Sequence, residues 1–376
     1  MNHIKTTCVH PIGKEGASVT TSIEPGTAND YRNLKELNYP GFLSTHNQHR
    51  LGEIIARLEG AKYGVAFNSG MTAISCSIFS LIKTGDHVLL SSELYGGTFK
   101  LATKEFIKRG ISYSFVDNTL DSLDKHKREN TVLYFFETPS NPLLSITDLS
   151  QISNWAKTHR IKTVVDNTFA TPVNQNPLFW GIDIVLHSGT KYLGGHNDLM
   201  FGVAATSDPV LYQALLNTAK IYGGALSPEI CYLAERSIKT LYLRVQQQNR
   251  SAAKIAAFLN EHTKVKKVYY PGLQTHPDHQ IAQKQMNGFG GMVSFEIFSE
   301  GKHMNRFLDH LKIISPAISL GGVESLISVP AVTSHKDLSS EEQKSKGITA
   351  ALIRLSVGIE DSDDLIEDLS FALSKM

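Results

Sequence analysis

Chemistry in this chain gathers around Lys191, in the stretch DIVLHSGTKYLGGHND (183–198). The apolar run Ile184 to Leu186 reads as a short buried strand. Ser188, Gly189 and Thr190 follow it directly before the lysine. An amine at the mouth of a sheet becomes a nucleophile once it sheds its proton, starting from a reference near ~10.4 that burial lowers. A lysine in a solvated turn does nothing of the kind, and most lysines are exposed. The residues elsewhere decide between the two. Ser69, Gly70 and Met71 stand where a strand runs into a helix. The first amides of a helix lack partners of their own and favour an anion. Tyr95 precedes two glycines after another strand, where a ring can cover a flat ligand. Asn141 lies between two prolines after a third. Asp166 ends a fourth, and a carboxylate there can hold a ring nitrogen protonated. Ser188 and Thr190 add hydroxyls suited to an anion.

These residues need elements to carry them. LGEIIARLEGA sets Leu51, Ile54, Ile55 and Leu58 at helical spacing. YGVAFNSG predicts a strand and turn, MTAISCSIFSLI an apolar helix, and DHVLLSS, ISYSFVD, TVLYFFE and KTVVD further strands with helical stretches between them. Such alternation predicts an α/β unit with a mostly parallel sheet covered on both faces. Ligands of such sheets gather beyond the carboxyl ends of the strands, and that is where the polar residues above fall. After FGVAATS the pattern changes. ALSPEICYLAERSIKTLYLRVQQQ reads as one long helix, with Ser227 as N-cap and Pro228 at its first position, and SAAKIAAFLNEH as a helix leading onward. GGMVSFEIF and AALIRLSVGI alternate with period two. Val293, Phe295 and Ile297 share one face, as do Ile353, Leu355 and Val357, which turns Arg354 and Ser356 the other way. DSDDLIEDLSFAL reads as a closing amphipathic helix. The expected organisation is an irregular arm over 1–50 with no core helix, lying against a neighbouring subunit; a large α/β domain over 51–245; and a small α+β domain over 246–376.

The bulk numbers exclude several classes. A chain of 376 residues exceeds one ordinary core. A net charge of +1 with scattered lysines and arginines argues against nucleic-acid and membrane partners. No apolar stretch approaches the roughly 20 residues of a membrane helix, and the N-terminus has no apolar signal core. Three cysteines, Cys8, Cys76 and Cys231, at spacings that match no zinc or redox motif, indicate a reducing compartment, the cytoplasm. His276 to His279 (HPDH) and the pair His187 and His196 give no trusted metal spacing, so no metal is expected.

A phosphate hole, a ring cover, an acid for a ring nitrogen and an amine for an aldehyde make up the requirement list of pyridoxal phosphate (PLP). The sequence also resembles the PLP-dependent enzymes of cysteine and methionine metabolism: cystathionine γ-synthase, cystathionine β- and γ-lyases, methionine γ-lyase and homoserine sulfhydrylases. DIVLHSGTKYLGGHN carries the resemblance most specifically. SGMTAI, YGGT, ETPSNP, VVDNTFATP, ALSPE, IKTL, HPDH, GFGGMVSFE, SLGGVESL and IRLSVGIED add to it from about Leu51 onward. It implies an aspartate-aminotransferase-like fold of type I. It implies PLP bound covalently by Lys191, which also shuttles protons; Tyr95 stacked on the ring and acting as acid or base; and the phosphate held by Ser69, Gly70, Met71, Ser188 and Thr190. Asp166 pairs with the ring nitrogen, Asn141 lies by the ring hydroxyl and the substrate, Arg354 takes the substrate α-carboxylate as a fork, and Ser319 sits near the lysine. A homotetramer built from dimers is implied as well.

Two departures bear on specificity. The family's early arm carries a tyrosine and, two places on, an arginine that reach the neighbouring subunit's phosphate. In NYPGFLSTHNQHR the arginine place falls on Gly41 or Phe42, leaving His46, His49 and Arg50 as substitutes. Ile318 stands where enzymes that make or γ-cleave cystathionine commonly have a glutamate, and Gly97 stands where methionine γ-lyases have a cysteine. The expectation is a carbon–sulfur lyase eliminating from cystathionine or a related sulfur amino acid. The alternatives are γ-replacement on an O-acylhomoserine and, in another class, a PLP-binding protein with little turnover.

Overall fold

The computed structural model describes residues 3–12, 18–33, 37–298, 302–336 and 338–376. Two sheets organise it. The larger has seven strands: β1 (Tyr63–Phe67), β2 (His87–Ser91), β3 (Ser112–Val116), β4 (Thr131–Glu137), β5 (Lys162–Asp166), β6 (Ile184–Ser188) and β7 (Gly202–Thr206), in the order β1-β7-β6-β5-β4-β2-β3. All neighbours are parallel except at β7, which runs antiparallel to both β1 and β6. The central strands are buried over nearly their whole length, as a sheet covered on both faces requires. Alternation splits their side chains. Leu133, Phe135, Val164, Ile184 and Leu186 join one apolar cluster, and Tyr134, Phe136, Val165 and Val185 join another on the opposite face.

The second sheet has β8 (Val265–Tyr269), β9 (Met292–Ile297), β10 (Ser315–Pro316), β11 (Leu326–Ser328) and β12 (Leu352–Ser356), in the order β10-β11-β12-β9-β8. Only β10 and β11 are parallel. Val293, Phe295, Ile297, Ile353, Leu355 and Val357 form its core with the helix Ser362–Ser374. This is the period-two face read from the sequence. The opposite face is buried too, since Ser294 Oγ donates to the Pro142 carbonyl at 2.6 Å.

The helices differ from the sequence reading in three places. The region 1–50 was expected to hold no core helix, yet α1 (Ile4–Val9) packs on the chain's own core with Cys8 only 1% exposed. Six residues whose apolar side chains are Ile4, Cys8 and Val9 give no periodic signal; burial against the long helix Leu241–Glu261 stabilises them. α2 (His46–Glu59) starts five residues before the apolar pattern does. Its start is set by a capping box, in which the Thr45 hydroxyl accepts from Gln48 N and Gln48 Oε1 accepts from Thr45 N. Gly60 closes α2 at φ +67°, a conformation glycine adopts at no steric cost. The expected single long helix is two, Pro228–Ile238 and Leu241–Glu261, broken at Lys239 and Thr240. Both halves share one apolar period, so the pattern runs through the break. The second half continues without interruption through SAAKIAAFLNE and bridges both sheets' cores, with Leu241 and Val245 in one and Ile255 and Leu259 in the other.

Candidate active site

The strand-to-helix turn after β1 leads into α3 (Gly70–Phe79). Ser69 is its N-cap and accepts from Thr72 N at 3.1 Å, and the amides of Gly70 and Met71 at the helix start have no intrahelical acceptor. Gly70 is required by close approach. A Cβ on it would lie 2.7 Å from Ser188 Oγ and 3.1 Å from Ser188 Cα. A half-buried Ser188 therefore closes on the helix start and forms a small polar cradle of amides and hydroxyl. The Thr190 hydroxyl also lies at this end, but it is engaged with the main chain of Phe201, donating to its carbonyl and accepting from its N–H at 3.2 Å.

Asp166 forms the floor beside the cradle. It is 9% exposed and accepts from Thr168 N at 3.0 Å and Thr168 Oγ at 2.5 Å. Thr168 Oγ in turn accepts from Ser188 N at 2.8 Å, so one hydroxyl couples floor to cradle. Burial pushes the Asp166 carboxyl up, and the two Thr168 bonds and His187 pull it back. His187 and Glu59 form a buried pair at 2.5 Å beneath the same strand ends, tied on through Asn167 to Gln175.

Lys191 follows β6 at the rim. Its Nζ donates to Ser319 Oγ at 3.1 Å, across 128 residues of sequence. Burial, and then the nearby Arg354 guanidinium, lower its pKa from the usual lysine value, the direction a nucleophilic amine requires. Ser319 itself sits at φ +99°, a strained backbone for a residue with a side chain. Arg354 rises from β12, 5% exposed. Its Nη1 donates to Asn141 Oδ1 at 2.9 Å and its Nη2 to the Ser319 carbonyl at 3.4 Å. Its Nε is buried without a hydrogen-bond partner among the described residues, which leaves donor capacity for an incoming carboxylate. Burial pushes its pKa down to about 10, still charged at neutral pH. Tyr95 caps α4 (Gly96–Lys100) and its ring, 45% exposed, lies over Gly97.

The fold thus brings Ser69, Gly70, Met71, Ser188, Asp166, Lys191, Ser319, Asn141 and Arg354 to one end of the large sheet where the small sheet meets it. Thr190 lies there with its hydroxyl already partnered, and Tyr95 flanks the group at the end of the β2 connection. Of the three arm candidates, Arg50 is bound to Glu235 of its own chain, Nε to Oε2 at 3.1 Å. Tyr39 is half exposed, with its ring edge-on to Phe42. Ile318 is 74% exposed beside Ser319. Sequence reasoning passed over Glu137, Thr168 and the Glu59–His187 pair. Glu137 had a signal: a carboxylate ending the apolar strand TVLYFFE must be buried with it. Among the described residues no three His, Cys, Asp or Glu side chains cluster to hold a metal, and no helix is long and apolar enough to cross a membrane.

The donor set suits PLP. The amide-and-hydroxyl cradle is an anion site, a buried acid lies beside it, and an amine and a fork of charged donors stand opposite. This is the arrangement of a fold-type I PLP enzyme. The chain belongs to the Cys/Met metabolism PLP-dependent enzyme family, whose model matches residues 10–374. It is 48% identical over 329 residues to a cystathionine beta-lyase of Lactococcus lactis subsp. cremoris, covering 87% of this chain and 86% of that protein. It is 46% identical over 327 residues to a cystathionine gamma-lyase of Bacillus subtilis, covering 87% and 86%. Among solved structures, a cystathionine gamma synthase from Xanthomonas oryzae pv. oryzae superposes with a TM-score of 0.96 at 37% identity, covering 100% of this chain and 98% of that one.

Proposed function

We propose that the chain is a carbon–sulfur lyase that eliminates a sulfur group from cystathionine or a related sulfur amino acid, with PLP held covalently by Lys191. The observation that carries this reading is the convergence of Lys191 Nζ on Ser319 while Arg354, paired to Asn141, holds a buried donor in reserve beside it. That geometry suits an α-amino acid whose carboxylate meets the guanidinium and whose Cα faces the amine. Ser69, Gly70, Met71 and Ser188 hold the phosphate, with Thr190 supporting the loop through Phe201. Asp166 faces the ring nitrogen, and Tyr95 covers the ring. When bound, PLP supplies the electron sink for negative charge at the substrate Cα. Lys191, its proton affinity lowered by burial, would take the Cα proton and hand a proton to the departing sulfur group. Arg354 fixes the carboxylate so that the scissile bond stays in reach of that amine.

Two relatives named as cystathionine lyases support elimination, and the apolar Ile318 beside Ser319 offers no charge for a distal ammonium. The γ-synthase neighbour supports γ-replacement on an O-acylhomoserine as the second reading. The three cysteines are all free and buried, which supports a cytoplasmic setting. With no arginine at Gly41 or Phe42 and Arg50 committed to Glu235, we assign the remaining phosphate contacts to a neighbouring copy within a homotetramer, reached through the region 1–50.

The test is direct. Borohydride reduction of the yellow holoprotein, followed by peptide mapping, is expected to place the cofactor mass on Lys191. Pyruvate from cystathionine marks β-elimination, 2-oxobutyrate marks γ-elimination, and cystathionine formed from cysteine and an O-acylhomoserine marks replacement. A colourless protein with no tag on Lys191 sinks the cofactor assignment.

A further inference from the structure

Glu137 has no part in the reading above, yet it lies in the floor of the same site. It closes β4, is 6% exposed, and among the described residues its Oε1 accepts a single hydrogen bond, from the main-chain N–H of Tyr95 at 2.7 Å. In the parallel register its Cα lies beside that of Asp166, one strand spacing of about 4.8 Å away. Leu133 and Phe135 share its face of β4, and Val164 shares the face of Asp166 on β5; all three join the same apolar cluster. Alternation therefore sends both carboxyl groups off the same side of the sheet.

Two buried carboxyl groups at that spacing do not both ionise cheaply. The donors around them decide which one does. Asp166 receives two hydrogen bonds from Thr168, and His187 stands on the strand beyond. Glu137 receives one amide. Glu93, on the loop after β2, faces it with more negative charge; that carboxylate is held by the hydroxyls of Ser140 and Ser145 and faces Lys346. Burial first, then Asp166 and Glu93, push the Glu137 carboxyl well above the usual range, against the one Tyr95 amide.

Tyr95 depends on this contact. It caps α4 with no side-chain capping bond, and the residue is 45% exposed, so packing alone fixes its place only in part. We propose that Glu137 is a positioning residue for Tyr95: through Oε1 it holds the Tyr95 main-chain N–H, seats the ring over the site, and leaves Asp166 as the acid that faces the ring nitrogen. The inference rests on reading Tyr95 and Asp166 as the ring cover and the ring-nitrogen partner of PLP.

The test uses the full chain as wild type, Glu137→Gln, Glu137→Ala, Tyr95→Ala and the double variant. PLP affinity of the apoprotein, the visible circular dichroism of the loaded protein from pH 6 to 9, and thermal melting are measured. Glutamine copies the neutral acid and keeps an acceptor for Tyr95. Its PLP Kd is expected within about threefold of wild type, with the same pH profile of the visible band. Alanine is expected to raise Kd about tenfold or more and to weaken the visible dichroism, and Tyr95→Ala is expected to add nothing further to it. A glutamine variant whose Kd rises tenfold, or whose band titrates a unit away from wild type, shows that the carboxylate acts ionised and overturns the inference. An alanine variant with wild-type Kd overturns it as well. If alanine melts early, the glutamine profile decides. A wild type that takes up no PLP overturns the reading of the whole site, and this inference with it. A wild type that takes it up while Glu137→Gln does not overturns this inference alone.

Discussion

Replacing Arg354 by lysine separates geometry from charge at the proposed carboxylate site. The guanidinium is buried on β12 with Nη1 on Asn141 Oδ1 at 2.9 Å and Nη2 on the Ser319 carbonyl at 3.4 Å. Its Nε has no partner among the described residues. A lysine keeps one positive charge but has one nitrogen in place of three. It cannot hold Asn141 and a carboxylate in a fork at once. At least one charge-assisted hydrogen bond goes, worth about 1.5–3 kcal/mol, or about tenfold to a hundredfold in kcat/KM. The loss is expected mainly in KM, since the contact is present in both ground and transition states. The assay is steady-state elimination from cystathionine and from an analogue lacking the α-carboxylate, with the visible cofactor band as a check that PLP is still bound. The wild type is expected to discriminate strongly between the two and the lysine variant much less. An Arg354→Lys enzyme with unchanged KM, or one that loses equally on both compounds, refutes the assignment of Arg354 to the carboxylate.

Three further outcomes are expected. Gly70→Ala sets a methyl 2.7 Å from Ser188 Oγ and 3.1 Å from its Cα; fluorescence titration should show PLP Kd at least about tenfold weaker, with inorganic phosphate protecting the variant less than the wild type. Lys191 has its proton affinity lowered by burial and by Arg354, so the rate at which the apoprotein takes up PLP should rise with pH and level off below the usual lysine value; a profile that keeps rising through that value argues against a buried amine. His335 is pushed by burial, and then by Arg354 and Lys346, down to about 4. Between there and its ordinary value the unfolded chain binds the extra proton, so stability present above about pH 6.5 is lost as pH falls, by about 2 kcal/mol at pH 5. Denaturant melts of His335→Asn should be flatter over that interval, and equal slopes would remove the explanation.

Much of the candidate site's placement was legible because parallel sheets collect ligands at one edge. Once the strands ending at Phe67, Glu137, Asp166 and Ser188 are recognised, Gly70, Asn141, Asp166 and Lys191 must lie near one another, whatever the loops do. Arg354 was legible for a different reason: a charged residue between Ile353 and Leu355 in a period-two strand has to leave the core on the other face. Glu137 was not read because its role depends on neighbours 29 and 42 positions away, Asp166 and Tyr95. The helix α1 was missed because its few apolar residues mean little until the helix Leu241–Glu261 offers them a surface.

By itself, then, the order of residues determined the alternation of elements, the face each strand turns to its core, and the strand ends at which polar groups appear. These are local matters of period, capping and hydrophobicity, and they survive without knowledge of what lies across the sheet. Tertiary structure decided the rest. It brought Ser319 to Lys191 across the two sheets and committed Arg50 to Glu235. It also set two carboxyl groups side by side so that their donors, not their types, apportion the charge. Proton affinity and pairing are properties of a neighbourhood, and in this chain the neighbours arrive from far along the sequence.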